Sequence, residues 1–160
     1  MKILWTDGSA MPNPGPGGFA VIEVSTDGTA RPVMMGAEEF STNIRMEGRA
    51  LIAAIEYAGE EGCEIYTDSE FWVNVVTKWA PEWKKNEWHR KQDRKVGANG
   101  ETIGWKKTSI KNKDLVVKLY ELYEKYPVKL CWVRGHVGTK YNELADKWAN
   151  KARKKLQKQL

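Results

Sequence analysis

Three strand-like runs open the chain with no helix between them, and only after Ser41 does the apolar pattern change its period. Lys2 to Thr6, Gly17 to Ser25 and Val33 to Ser41 each read as a strand. Asp27-Gly28 joins the second run to the third. This dipeptide is a strong hairpin signal, because glycine takes the positive φ that a tight turn needs. Asp27 is therefore assigned to turn geometry. From Ile44 to Glu60 the apolar residues Met46, Ala50, Leu51, Ala53, Ala54, Tyr57 and Ala58 recur at helical spacing, with Thr42 and Asn43 as caps and Gly62 as the stop. Strands and helices then alternate. Cys63 to Thr67 is a strand, and Ser69 to Lys78 and Glu82 to His89 are short helical pieces. Arg90 to Lys111 reads as loop, Lys113 to Tyr126 as helix, Val128 to Val133 as strand and Tyr141 to Leu156 as the closing helix. Successive strands followed by alternation predict an α/β fold with a mixed sheet covered by helices.

The 160 residues fit one domain spanning 1–160 with a core of its own. No apolar run approaches the length of a membrane span. The N-terminus enters a strand pattern at Lys2 without a signal-peptide layout. An intracellular, cytoplasmic protein with no membrane association and no further N-terminal domain is expected. Cys63 and Cys131 lie in apolar strand-like runs and read as small buried thiols, with neither a disulfide framework nor a zinc pattern. No dimerisation signature is visible, so a monomer without an obligate protein partner is expected.

The net charge of +5 is unevenly distributed. Lys84 to Lys113 holds ten Lys/Arg against three acids, and Lys147 to Leu160 holds six against none. The rest of the chain is left with about −8. Basic edges around an acidic remainder suit a polyanion partner and an acidic site, or two solvated faces.

Four of the acids occupy awkward places. Strand alternation puts Ile3, Trp5 and Asp7 on one face, so Asp7 ends an apolar row, and Asp68 closes the fourth strand in the same way. Glu47 shares a helix face with Leu51, Ala54 and Ala58, where a carboxylate is costly unless it is paired or bound to a cation. Asp146 lies one turn after Asn142, beside Ala145 and Ala149. Taken singly, Asp7 and Asp68 also read as turn or cap residues, Glu47 as a helix-start charge and Asp146 as a surface acid. Taken together at one sheet edge they would repel and raise one another's pKa. Divalent cations resolve that repulsion, and an oxygen-only donor set suits Mg²⁺ or Mn²⁺ rather than zinc. Two such ions can clamp the attacking and leaving oxygens of a phosphodiester.

Trp5-Thr6-Asp7-Gly8-Ser9, Asn13 to Gly18 (NPGPGG), Thr42 to Glu47 (TNIRME), Tyr66 to Ser69 (YTDS) and Trp132 to Asp146 (WVRGHVGTKYNELAD) occur in an order that resembles type 1 ribonuclease H across nearly the whole chain. The resemblance implies a ribonuclease H-like five-stranded mixed sheet whose first three strands are antiparallel. It implies Mg²⁺-dependent hydrolysis of the RNA strand of an RNA/DNA hybrid, leaving 3′-hydroxyl and 5′-phosphate ends, with two ions per site. It assigns Asp7, Glu47, Asp68 and Asp146 as metal ligands and His136 to proton handling or product release. Asn13 and Asn43 match groove-contacting residues, and Gly8 and Ser9 offer further contacts. Thr42 and Asn112 match residues that hold a DNA phosphate. The stretch from Trp79 to Lys91, with Trp79, Trp83, Lys84 and Lys85, resembles a basic protrusion that grips the DNA strand, and the variant region covers about 79–112. RNA would be told from DNA by its 2′-hydroxyl.

The chain departs from the family pattern in three places. The connection from Trp88 to Asn112 is longer than usual, Phe40 stands where a basic residue is common, and Glu70 where a glutamine is common. Two other functions compete on the same fold: a catalytically silent hybrid-binding module, and a DNA nuclease such as a resolvase.

Overall fold

The computed structural model describes residues 1–107, 110–135 and 139–159. Its main sheet has five strands in the order β3-β2-β1-β4-β7. The strands are β1 (Lys2–Ala10), β2 (Gly15–Val24), β3 (Ala30–Ser41), β4 (Cys63–Thr67) and β7 (Val128–Trp132). β1 to β3 are antiparallel neighbours, whereas β1, β4 and β7 run parallel. This is the mixed sheet predicted from the element order. The turn between β2 and β3 behaves as expected: Gly28 has φ 85° and Asp27 Oδ1 accepts the Thr29 backbone N–H at 3.0 Å.

Helices cover both faces. On one side α1 (Asn43–Ala58) and α4 (Lys113–Lys125) bury Met46, Leu51, Ile55, Val116 and Leu119 against Leu4, Val21 and Ile65. On the other side α5 (Lys140–Gln159) lays Ala145 over Trp5 and Ile22. Thr42 caps α1, its Oγ1 accepting the Arg45 backbone N–H at 3.1 Å. The short helices α2 (Glu70–Asn74) and α3 (Ala80–Lys85) are joined by one π-helical turn, Val75–Trp79, and Pro81 stands in the first turn of α3, where its missing N–H costs nothing.

Three sequence readings change. β1 runs on to Ala10 rather than ending at Thr6, so Asp7 lies inside a strand. Its pairing with β4 stops at Trp5–Tyr66, while its pairing with β2 continues to Ala10–Gly17. The segment 90–111 is not all loop: β5 (Arg94–Val96) and β6 (Thr102–Trp105) form a separate antiparallel hairpin. Trp105 fastens the hairpin to the segment after α3 by stacking on His89 (centroids 4.7 Å apart) and donating Nε1–H to Glu87 Oε2 at 2.5 Å. Finally, Cys63 is buried but Cys131 is only half-buried.

Candidate active site

Asp7 extends from β1 where the strand has lost its β4 neighbour, and Asp68 leaves the end of that same β4. The two carboxylates therefore face one gap in the sheet. Glu47 reaches the gap from the first turns of α1, because α1 crosses β1 backbone against backbone at Gly8. A Cβ on Gly8 would lie 2.5 Å from the Glu47 nitrogen and closer still to the Met46 carbonyl carbon. Gly135, in the loop after β7, also lies close to Asp68: a Cβ there would come within 2.9 Å of Asp68 Oδ2.

One carboxylate oxygen from each of Asp7, Glu47 and Asp68 lies within 4.8 Å of the other two. Asp146, in the second turn of α5, stands beside Asp7. Burial, then the charges of Asp68 and Asp146, push Asp7 up to about 9, against the pull of the Gly8 N–H on Oδ1 at 2.9 Å. Burial and Asp68 raise Glu47 to about 7, opposed by a hydrogen bond from Ser69. Among the described residues, neither Asp7 nor Glu47 pairs with a lysine or arginine. A half-buried, oxygen-only cluster of carboxylates has the donor chemistry of a hard divalent metal site. His136 lies outside the described residues.

The other expected site residues fall into three groups. Near the acids, Asn13 Oδ1 accepts the Asn43 N–H at 3.2 Å and Asn43 Oδ1 accepts the Ala10 N–H at 2.7 Å. Both amides thus bind the end of β1 to the start of α1. At the start of α1, Thr42 and Asn112 are joined through Arg45. Its backbone N–H bonds Thr42, and its Nη1 donates to Asn112 Oδ1 at 3.2 Å and to Asp114 at 3.1 Å. Phe40 is 74% exposed beside this region of the chain, and supplies no charge. In the third group, Trp79 and Trp83 lie with ring centroids 6.1 Å apart and line a groove with Phe71, Arg90, Gln92 and Lys111. Lys84 turns away to Glu124 at 2.7 Å, whereas Lys85 borders a second depression with Lys78 and Lys91.

Sequence reading missed Ser69, Arg45 and Phe71 as members of these groups. Ser69 carried a signal, since a serine directly after a strand-terminal acid caps the next helix, and its Oγ accepts the Trp72 N–H at 3.3 Å.

The RNase H family model matches residues 1–154. The chain belongs to the ribonuclease H family. The ribonuclease H of Trichodesmium erythraeum is 39% identical over 155 residues, covering 96% of this chain and 88% of that protein. That of Francisella philomiragia is 40% identical over 152 residues, covering 94% and 89%. Among solved structures, LC9-RNase H1 has a TM-score of 0.70 at 25% identity, covering 97% of this chain and 74% of that one. LC11-RNase H1, solved in complex with RNA/DNA hybrid, shares the fold with a TM-score of 0.63 at 21% identity, covering 98% and 99%. Family membership makes this ribonuclease H an endoribonuclease, a phosphodiester hydrolase. Among the described residues, no helix is long and apolar enough to cross a membrane.

Proposed function

We propose that this ribonuclease H cuts the RNA strand of RNA/DNA hybrids at the Asp7, Glu47, Asp68 and Asp146 cluster, leaving 3′-hydroxyl and 5′-phosphate ends. The observation that carries the reading is the convergence of three carboxylate oxygens within 4.8 Å of one another, with Asp146 against Asp7. These four residues would hold two divalent ions, Mg²⁺ or Mn²⁺. Held there, such ions would supply an activated water and stabilisation of the departing oxygen.

The protein residues do the positioning. The Gly8 N–H fixes one oxygen of Asp7, and Ser69 orients Glu47. Asn13 and Asn43 accept backbone N–H groups through their carbonyl oxygens, so their NH₂ groups are the donors they have to offer a substrate. Amide donors beside the acids suit a minor groove that displays 2′-hydroxyls. Thr42, Arg45 and Asn112 would take a DNA phosphate, and the Trp79–Trp83 groove with its basic rim would take the DNA strand. Proton handling at the leaving oxygen, or help with product release, is assigned to His136. The domain acts as a monomer spanning 1–160, in the cytoplasm, with the region of about 79–112 as its substrate grip.

End-labelled RNA/DNA, RNA/RNA and DNA/DNA duplexes, incubated with and without Mg²⁺, test the proposal. Cutting confined to the RNA of the hybrid and dependent on Mg²⁺ is expected. Binding without cutting would make the chain a silent module, and cutting of DNA/DNA would make it a DNA nuclease.

A further inference from the structure

On α5, Asp146, Asn150, Arg153 and Gln157 are spaced four, three and four residues apart, so they form one stripe along the helix. The stripe is tied to β1 and the residues that follow it. Asp146 stands beside Asp7, Ser9 Oγ donates to Asn150 Oδ1 at 3.3 Å, and Gln157 Nε2 donates to the Met11 carbonyl at 3.5 Å. The line of contacts therefore leads from the carboxylate cluster toward the turn that carries Asn13.

Arg153 lies between the second and third of these contacts, and it is only 6% exposed. Its guanidinium donates to two neutral oxygens, Gln157 Oε1 at 2.9 Å and Asn150 Oδ1 at 3.3 Å. Among the described residues its Nε has no hydrogen-bond partner. Among the described residues no carboxylate pairs with it, and α5 holds no acid after Asp146. A buried cation held only by amides is costly, and its fork of donors matches an oxyanion. The helix cannot move aside to release it. α5 is pressed onto β2 at Gly18, where a Cβ would come within 2.6 Å of the Arg153 nitrogen. Gln157 is exposed, so its amide can swing away and yield its place on Nη1 to an anion.

We propose that Arg153, flanked by Asn150 and Gln157, is a subsite for a backbone phosphate of the RNA strand other than the scissile one. The proposal rests on the hybrid-cutting function above. Arg153 follows Asp146 by seven residues, roughly 10 Å of helix rise, so the phosphate it takes lies a few nucleotides from the cut. Gln157 covers the guanidinium when substrate is absent and is displaced when the strand docks.

Single methylphosphonate substitutions, walked along the RNA strand and then the DNA strand of a hybrid, test this on the unaltered protein. One RNA position beyond the cut should raise KM, and that interference should vanish in Arg153→Gln. Arg153→Gln should itself raise KM about fivefold or more with little change in kcat. It should also flatten the salt dependence of KM by about one charge, and Arg153→Lys should restore much of both. Interference on the DNA strand alone, or no interference beyond the scissile phosphate, overturns the subsite even if Arg153→Gln fails to fold. So does a folded Arg153→Gln with unaltered KM and salt slope. In all these cases wild-type cleavage keeps the nuclease function standing, whereas a wild type that leaves the hybrid intact removes that function and the subsite together.

Discussion

Gly8 and Met46 meet backbone to backbone, and no side chain fits between them. This contact sets the depth at which α1 crosses β1, and so brings Glu47 to Asp7. Gly8→Ala should destabilise the fold by about 1–3 kcal/mol through overpacking, and it should lower cleavage more than the stability loss alone explains. Urea unfolding beside a cleavage assay at a temperature where the variant is folded separates the two effects.

Asp7 is a proposed ligand, and burial beside Asp68 raises its carboxyl further than that of Glu47. Asp7→Asn removes a buried repulsion, so the metal-free variant should melt at or above the wild-type temperature. Its cleavage of hybrid should fall by roughly 100-fold or more, because a positioned ion is lost. Near-normal turnover in a folded Asp7→Asn protein would refute its role as a ligand.

Both raised carboxyls make the metal-free protein sensitive to pH in a defined direction. Asp7 rises from 3.8 to about 9 and Glu47 from 4.5 to about 7. The folded state therefore holds protons that the unfolded chain has released. Their contribution is fully present below the unfolded values near 4 and is lost as pH rises through about 7 and then about 9. Thermal melts in chelator should show wild-type stability declining across this window relative to Asp7→Asn. Millimolar Mg²⁺ should reduce the decline, and parallel curves would contradict the assignment.

Trp79 is 40% exposed at the groove it shares with Trp83 and Phe71. Trp79→Ala should leave the melting temperature nearly unchanged and raise KM for hybrid by about fivefold or more, the scale of one lost aromatic contact to nucleic acid. Unaltered KM in titrations at fixed salt would remove Trp79 from the substrate grip.

The β5–β6 hairpin shows why part of the fold escaped sequence reading. Arg94-Lys95-Val96 and Thr102 to Trp105 are too short and too polar to show a strand period, and Gly104 interrupts the second. What holds them is the stacking of Trp105 on His89 and its bond to Glu87, contacts between segments that local pattern does not register. The sequence places Asp7 at a strand's end, whereas β1 continues past it to Ala10, because the pattern records which face a residue takes and not where a neighbouring strand stops. The Asp27-Gly28 turn was fully legible, since its chemistry is local.

The order of elements, the turn residues, the helix stripes and the presence of four acids in recognisable surroundings were determined by the sequence itself. These are short-range consequences of side-chain type and period. Only the tertiary structure decided that oxygens of Asp7, Glu47 and Asp68 share a space 4.8 Å across, and that Arg153 in a lysine-rich helix is buried with no carboxylate partner among the described residues. Distance and burial arise from how separate elements pack. Here the α1–β1 approach at Gly8 and the α5–β2 approach at Gly18 set both.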